Sequence, residues 1–188
     1  MNKKVFVVFF VCIIFGIQGL FAQEEFTWHL ALVKDNQGLP LENDKPVNMN
    51  NDEKFSIELY SEKDCYAYIV VEQASGSLVT LKSQYIKAGE MLTTRELYFK
   101  EPFHGQEKFY VVVSYEEQKS LQRAIDAYKN DQSFRNTIML QTALSEIKEP
   151  RGDNPGKPSA FGGSIRGEDA ATEYSGSSAY KKTIIISH

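Results

Sequence analysis

The chain has 188 residues, 42% of them hydrophobic, and its 21 lysines and arginines stand against 25 aspartates and glutamates for a formal net charge of −4. That length suits one domain with a real core, while the negative sign argues against nucleic acid or anionic lipid as main partner, since both need a positive face. With only two cysteines, Cys12 and Cys65, no disulfide framework is in prospect.

The N-terminus opens on Met1-Asn2-Lys3-Lys4 and continues in an apolar run from Val5 to Phe15, extended by Ile17, Leu20 and Phe21. Ala22 then precedes the polar Gln23-Glu24-Glu25. A charged start, an apolar stretch and a small residue before a polar segment predict a cleavable signal peptide over residues 1–22. The expected product is a single exported β-rich domain, 23–188, periplasmic, cell-surface or secreted, with no stable membrane span after cleavage. An uncleaved anchor fits less well, because Gly16 and Gly19 interrupt an apolar core near the minimum spanning length. A lipoprotein fits poorly, because Val11 precedes Cys12 and most of the apolar run follows it. Cleavage removes two lysines and no acid, leaving 19 basic and 25 acidic side chains, a charge of −6, and Cys65 as the one thiol.

Phe26 to Val33 reads as a first strand, and Lys34 to Lys54 as loop, with Gly38, Pro40, Pro46 and five asparagines around a short edge strand at Val47 to Met49. Phe55, Ile57 and Leu59 alternate with Ser56, Glu58 and Tyr60, the period of a half-buried strand. Cys65 to Glu72 is apolar on both faces and predicts a central strand with Cys65, Ala67, Ile69 and Val71 on one face. Ser75-Gly76-Ser77 then turns into Leu78-Val79-Thr80-Leu81 as a hairpin. Tyr85 to Gly89 and Leu97 to Phe99 are shorter strand candidates, and Lys108 to Ser114 is the strongest β segment.

Ser114 and Glu117 have capping-box spacing and predict the start of a helical pair spanning about 115–148. Leu121, Ile125 and Tyr128 carry the first helix, and Phe134, Ile138, Leu140, Leu144 and Ile147 the second. Segment 149–178, rich in Gly, Pro and Ser, reads as a flexible loop. The β-branched run within 180–187 predicts a terminal strand in the main sheet, Ile184 and Ile186 on one face and Ile185 on the other. An Ile185 exposed beside an unpaired edge would mark a site for strand addition. The fold class expected is mainly β (α+β), a β-sandwich-like domain with a helical hairpin between its penultimate and last strands.

Catalytic clusters are not evident. His29, His104 and His188 have no ligand-like spacing, so no metal is expected. Cys65 sits in an apolar strand, unlike the electropositive, open setting of a reactive thiol. Gly152 to Ser159 is one residue short of a phosphate loop and has proline after its lysine; Gly162-Gly163-Ser164 lacks the closing glycine of a nucleophile elbow. Asn48 to Lys54 lacks the turn glycine of a calcium loop. No cofactor is expected. Candidate binding residues are Arg151-Gly152-Asp153, an adhesion-type tripeptide in the loop, and Tyr66 and Tyr68, which share a face that Tyr60, Tyr98, Tyr110 and Tyr115 could extend. Packing is the favoured role of those rings.

The stretch 55–115 resembles the bacterial family known as domain of unknown function 4384 (DUF4384). The resemblance lies in Phe55-Ser56-Ile57, Tyr66-Ala67-Tyr68-Ile69, the Gly76 turn before Leu81, Ile86-Lys87-Ala88-Gly89, and Gly105 to Ser114 taken in that order. It implies a β-sandwich-like module, found in longer chains beside caspase-like peptidase or kinase domains, with no catalytic residue to carry over. The resulting expectation is an exported, non-catalytic binding or assembly module of the bacterial envelope or surface, with a protein partner. The alternative is an accessory or inhibitor-type subunit of an exported hydrolase, and a weaker third is an adhesin using Arg151-Gly152-Asp153.

Overall fold

The computed structural model describes residues 26–39, 41, 45–100, 104–148, 157–158, 171–176 and 178–188. The apolar N-terminal stretch with the expected cleavage site and the tripeptide Arg151-Gly152-Asp153 lie outside the described residues. In chain order the elements are β1 (Phe26–Lys34), β2 (Gln37–Leu39), β3 (Val47–Asn48), β4 (Phe55–Ser61), β5 (Cys65–Glu72), β6 (Leu78–Ile86), β7 (Met91–Thr93) and β8 (Gln106–Ser114). Helices α1 (Lys119–Asn130) and α2 (Phe134–Glu146) follow, then β9 (Lys157–Pro158), β10 (Thr172–Gly176) and β11 (Ala179–Ser187).

These strands form two sheets. One has the order β7-β4-β1-β10-β9, with β2 also on β1, and the other β3-β11-β8-β5-β6. The alternation visible in the sequence decides which side chains meet between them. Trp28, Leu30 and Leu32 of β1 and Phe55, Ile57 and Leu59 of β4 join Cys65, Ala67, Ile69, Phe109, Val111, Val113, Ile184 and Ile186 in one buried cluster. Rings cross the layer, Trp28 lying 5.4 Å from Tyr180 and Phe55 5.8 Å from Phe109. The fold is thus mainly β, a β-sandwich-like α+β domain.

The second sheet is buried on both faces. Its far side, through Tyr68, Val70, Leu78 and Val112, packs on Leu121, Ala124, Ile125, Tyr128, Leu140 and Leu144 of the helical pair. That double burial explains why Cys65 to Glu72 reads as apolar on both faces. Two hydrogen bonds fix α2 on this sheet: Lys181 Nζ donates to the Leu144 carbonyl at 2.8 Å, and the Lys181 backbone N–H to that of Lys148 at 3.3 Å. The ammonium also meets the negative end of the helix.

Two turns depend on left-handed backbone. Asp35 and Asn36, with φ of 50° and 61°, make the two-residue link between β1 and β2, a conformation their short polar side chains tolerate. Gly76, at φ 83°, closes the β5–β6 hairpin, its N–H donating to the Gln73 carbonyl at 2.7 Å.

Several sequence expectations need correction. Segment 149–178 is not loop throughout: β9 and β10 lie in it, and β10 pairs antiparallel with β1 from Phe26↔Gly176 to Leu30↔Thr172. The helical pair therefore precedes three strands rather than one. Lys34 to Lys54 contains β2 as well as β3. Tyr85 and Ile86 continue β6, which takes up a register shift opposite Ile69 and Val70. Leu97 forms an isolated bridge to Phe55 rather than a strand. The Ser114–Glu117 capping box does not form, since α1 begins at Lys119 after Gln118, which makes no side-chain cap. Ser114 is the last residue of β8, and its hydroxyl donates to the Glu116 carbonyl at 2.6 Å.

Candidate functional site

β11 takes the position expected of the terminal strand. It pairs antiparallel with β8 from Ala179↔Ser114 to Ser187↔Gln106, which sends Ile184 and Ile186 into the inter-sheet core at 3% and 0% exposure. Ile185 points the other way and is half-buried. On the outer side of β11, β3 meets it in parallel at Ile186↔Val47 and Ser187↔Asn48, the two pairs among the described residues. From Lys181 to Ile185 the strand instead fronts a groove of about 330 Å³.

Most of the lining residues are placed by their strands. Lys108 lies opposite Ile185 and Tyr110 opposite Thr183 in the β8–β11 ladder, so these four form the floor on the helix side. Leu41, Lys45 and Val47 line the groove from the segment that leads into β3. Lys181 and Lys182 point to opposite faces of β11 and border the groove on both. The lysines are held in place. Lys108 Nζ lies 3.7 Å from Glu72 Oε2, Lys181 Nζ 5.9 Å from the centre of the Tyr110 ring, and Lys182 Nζ 5.9 Å from that of Tyr174. The Tyr110 hydroxyl donates to the same Glu72 carboxylate. A cleft with an apolar and aromatic floor and Lys45, Lys108 and Lys182 along it matches an extended segment carrying acidic and apolar side chains, while the buried Lys181 ammonium is held by the Leu144 carbonyl.

Tyr66 and Tyr68 do share a face, but it is the covered one. Tyr68 is only 1% exposed beneath the helical pair, and its hydroxyl accepts the Gln118 N–H at 3.1 Å, which removes it as an open binding residue. Tyr66 packs on the same cluster and meets Tyr85 edge-on at 5.2 Å. Tyr110 reaches the groove, whereas Tyr60 packs on the outer side of the first sheet beside Ala31 and Val33.

The histidines and Cys65 do not come together among the described residues. Cys65 lies in the inter-sheet core, where burial pushes its thiol up to about 11. His29 points to the opposite face of the first sheet, 3% exposed and 5.8 Å from the Tyr60 ring. Burial lowers its pKa, against the opposing fields of Glu173 and Glu62. His188, at the end of β11, stacks on Phe99 at 3.9 Å, with Nδ1 3.2 Å from Asn51 Oδ1. His104 is exposed before β8. Among the described residues no three His, Cys, Asp or Glu side chains gather as a metal site.

Of the groove residues, Ile185 and Tyr110 are singled out by the sequence, and the lysines are not. Lys108 and Lys181 look like ordinary strand lysines until the β8–β11 register places them on one face of the sheet. Among the described residues no helix is long and apolar enough to cross a membrane. Comparison with family models, with curated proteins and with solved structures finds no match to the chain.

Proposed function

We propose that the chain is an exported, non-catalytic binding or assembly module of the bacterial envelope or surface, and that the groove along β11 receives a protein partner. The observation that carries this reading is the groove itself: an apolar floor of Ile185 and Tyr110 with Lys45, Lys108 and Lys182 along it, in a chain of net negative charge. The signal-like N-terminus supports export, and the ordered resemblance over 55–115 supports kinship with the domain of unknown function 4384 family. A partner segment would lie extended along β11, an apolar side chain over Ile185 and acidic groups toward the lysines.

A photo-crosslinking residue at position 185, introduced in the cells that make the protein, tests this. The expected result is one dominant adduct with an envelope protein, weakened when Lys108 is changed to Glu. An adduct pattern identical to that from a probe at exposed Glu90, across the molecule, would remove the groove as the binding site.

A further inference from the structure

Helix α2 turns an apolar ridge toward solvent. Phe134 is 80% exposed and Ile138 45%, at the i, i+4 spacing that places side chains on one helix face, and Met139, 40% exposed, flanks them. Its opposite face, Leu140, Ala143 and Leu144, is the one buried against the sheet and α1, so the ridge plays no part in holding the helix down. Charges stand at both ends of the same face. Arg135 lies in the first turn and Glu146 in the last, both exposed, with no acid in the first turn and no base in the last. Each charge therefore sits at the like-signed end of the helix dipole, the unfavourable placement. Neither has an ion-pair partner among the described residues. Asp131, the nearest acid in sequence, is instead engaged by the Asn136 side-chain amide at 2.8 and 3.3 Å.

We propose that this face is a self-association surface, on which α2 of a second copy packs antiparallel about a two-fold axis. In such an isologous contact, whatever residue i meets on the partner meets i in return. An axis between Leu140 and Gln141 sets Arg135 of each copy beside Glu146 of the other, since the two positions are symmetric about that point. The same rotation lays the N-terminus of each helix against the C-terminus of its mate. Both charges then face an opposite side chain and an opposite helix end. Met139 comes level with Thr142 of the second copy, and Phe134 closes each end of the ridge. A parallel pairing would oppose arginine to arginine. A thirteen-residue helix is about 20 Å long, so the contact is small and the association weak, with Kd in the micromolar range or above.

Sedimentation velocity on the chain as isolated from the cells that make it, from about 1 μM to about 1 mM, gives the test. A monomer–dimer equilibrium is expected, with Kd raised at least about tenfold by Phe134→Asp, whose exposed position leaves the fold intact by circular dichroism. Arg135→Glu alone should also weaken the dimer, and Arg135→Glu with Glu146→Arg should restore it to within about threefold of the parent. A monomer throughout the range overturns the proposal and leaves the ridge to some other partner. A dimer indifferent to Phe134→Asp, or charge reversals whose effects add instead of cancelling, overturns it equally. None of these variants touches the β11 groove, so the outcome is independent of the function proposed for it.

Discussion

The hydroxyl of Tyr68, in the middle of β5, accepts the backbone N–H of Gln118 at 3.1 Å, so the sheet itself supplies the acceptor at the start of α1. The same device recurs at the other end of the helix, where the Tyr128 hydroxyl accepts the Leu78 N–H at 3.2 Å. Helix and sheet are thereby tied in both directions, one ring from each reaching a backbone donor of the other. Tyr68→Phe keeps the ring and removes the acceptor, leaving a part-buried donor unsatisfied. It should lower stability by about 1–2 kcal/mol and the melting midpoint by a few degrees. A midpoint equal to that of the parent would mean that water replaces the hydroxyl without cost.

Those two bonds also mark where sequence reading runs out. Strands with a strong period or a β-branched run, such as β4, β5, β8 and β11, are legible because burial on a known face requires that pattern. So is the pair of helices, whose apolar stripe needs no partner identified to be seen. The start of α1 misleads because Ser114 has the right residue type and spacing for a cap, yet its strand pairing with Ala179 and Tyr66 holds it in β8. β10 is hidden for a different reason. Tyr174 is the one large apolar side chain in Thr172-Glu173-Tyr174-Ser175-Gly176, and only its stacking on Trp28 at 4.8 Å shows what it contributes. The groove depends on strand register, which no local pattern encodes.

Glu53 gives a pH signature. Lys34 Nζ lies 2.6 Å from its Oε1, and the Asn50 N–H and side-chain amide donate at 2.9 and 2.8 Å. The Lys34 bond first, then those from Asn50, bring the carboxyl from its ordinary 4.5 to about 2. A pKa depressed by folding means stabilisation that is complete above the unfolded value and lost as pH falls through the folded one. Glu53→Gln should therefore melt below the parent at about pH 6, with the gap closing between 4.5 and 2. A gap that stays constant over that window would show that the charge on Glu53 is not what matters.

Cys65 is enclosed by the core and its thiol is pushed up to about 11, burial being the main cause. A thiol reagent at about pH 8 should leave Cys65 unmodified in the native chain and modify it on unfolding, as peptide mass spectrometry can follow site by site. Cys65→Ala should cost on the order of 1 kcal/mol through lost packing. Rapid native labelling would require an opening of the sandwich at this strand.

Gly105 precedes β8 and exchanges two backbone hydrogen bonds with His188, at 2.9 and 3.1 Å. A Cβ at this position would lie 2.6 Å from Cβ of Ala74, closer than two carbons tolerate. Gly105→Ala should destabilise by about 1–3 kcal/mol. Adding Ala74→Gly removes the clashing atom and should recover most of that loss. Failure of the second change to help would place the strain in the backbone around Gly105 rather than in this contact.

β11 offers the sharpest test of the architecture, because adjacent isoleucines in it have different surroundings. Ile186 is fully buried between the sheets and Ile184 nearly so, while Ile185 is half-buried beside the groove. Burying such a side chain is worth roughly 1.5–3 kcal/mol, and truncating it adds the cost of the cavity left behind. Ile186→Ala should cost about 2–5 kcal/mol, and Ile185→Ala much less, on the order of 1 kcal/mol or below. Truncation after Tyr180 removes both core isoleucines and most of the ladder to β8, and it exposes the edge of that strand. The truncated chain should have no cooperative melting transition. Equal effects of Ile185→Ala and Ile186→Ala would mean that the strand does not alternate as the β8 register requires. A truncated chain that melts like the parent would remove β11 from the sheet, and the groove with it.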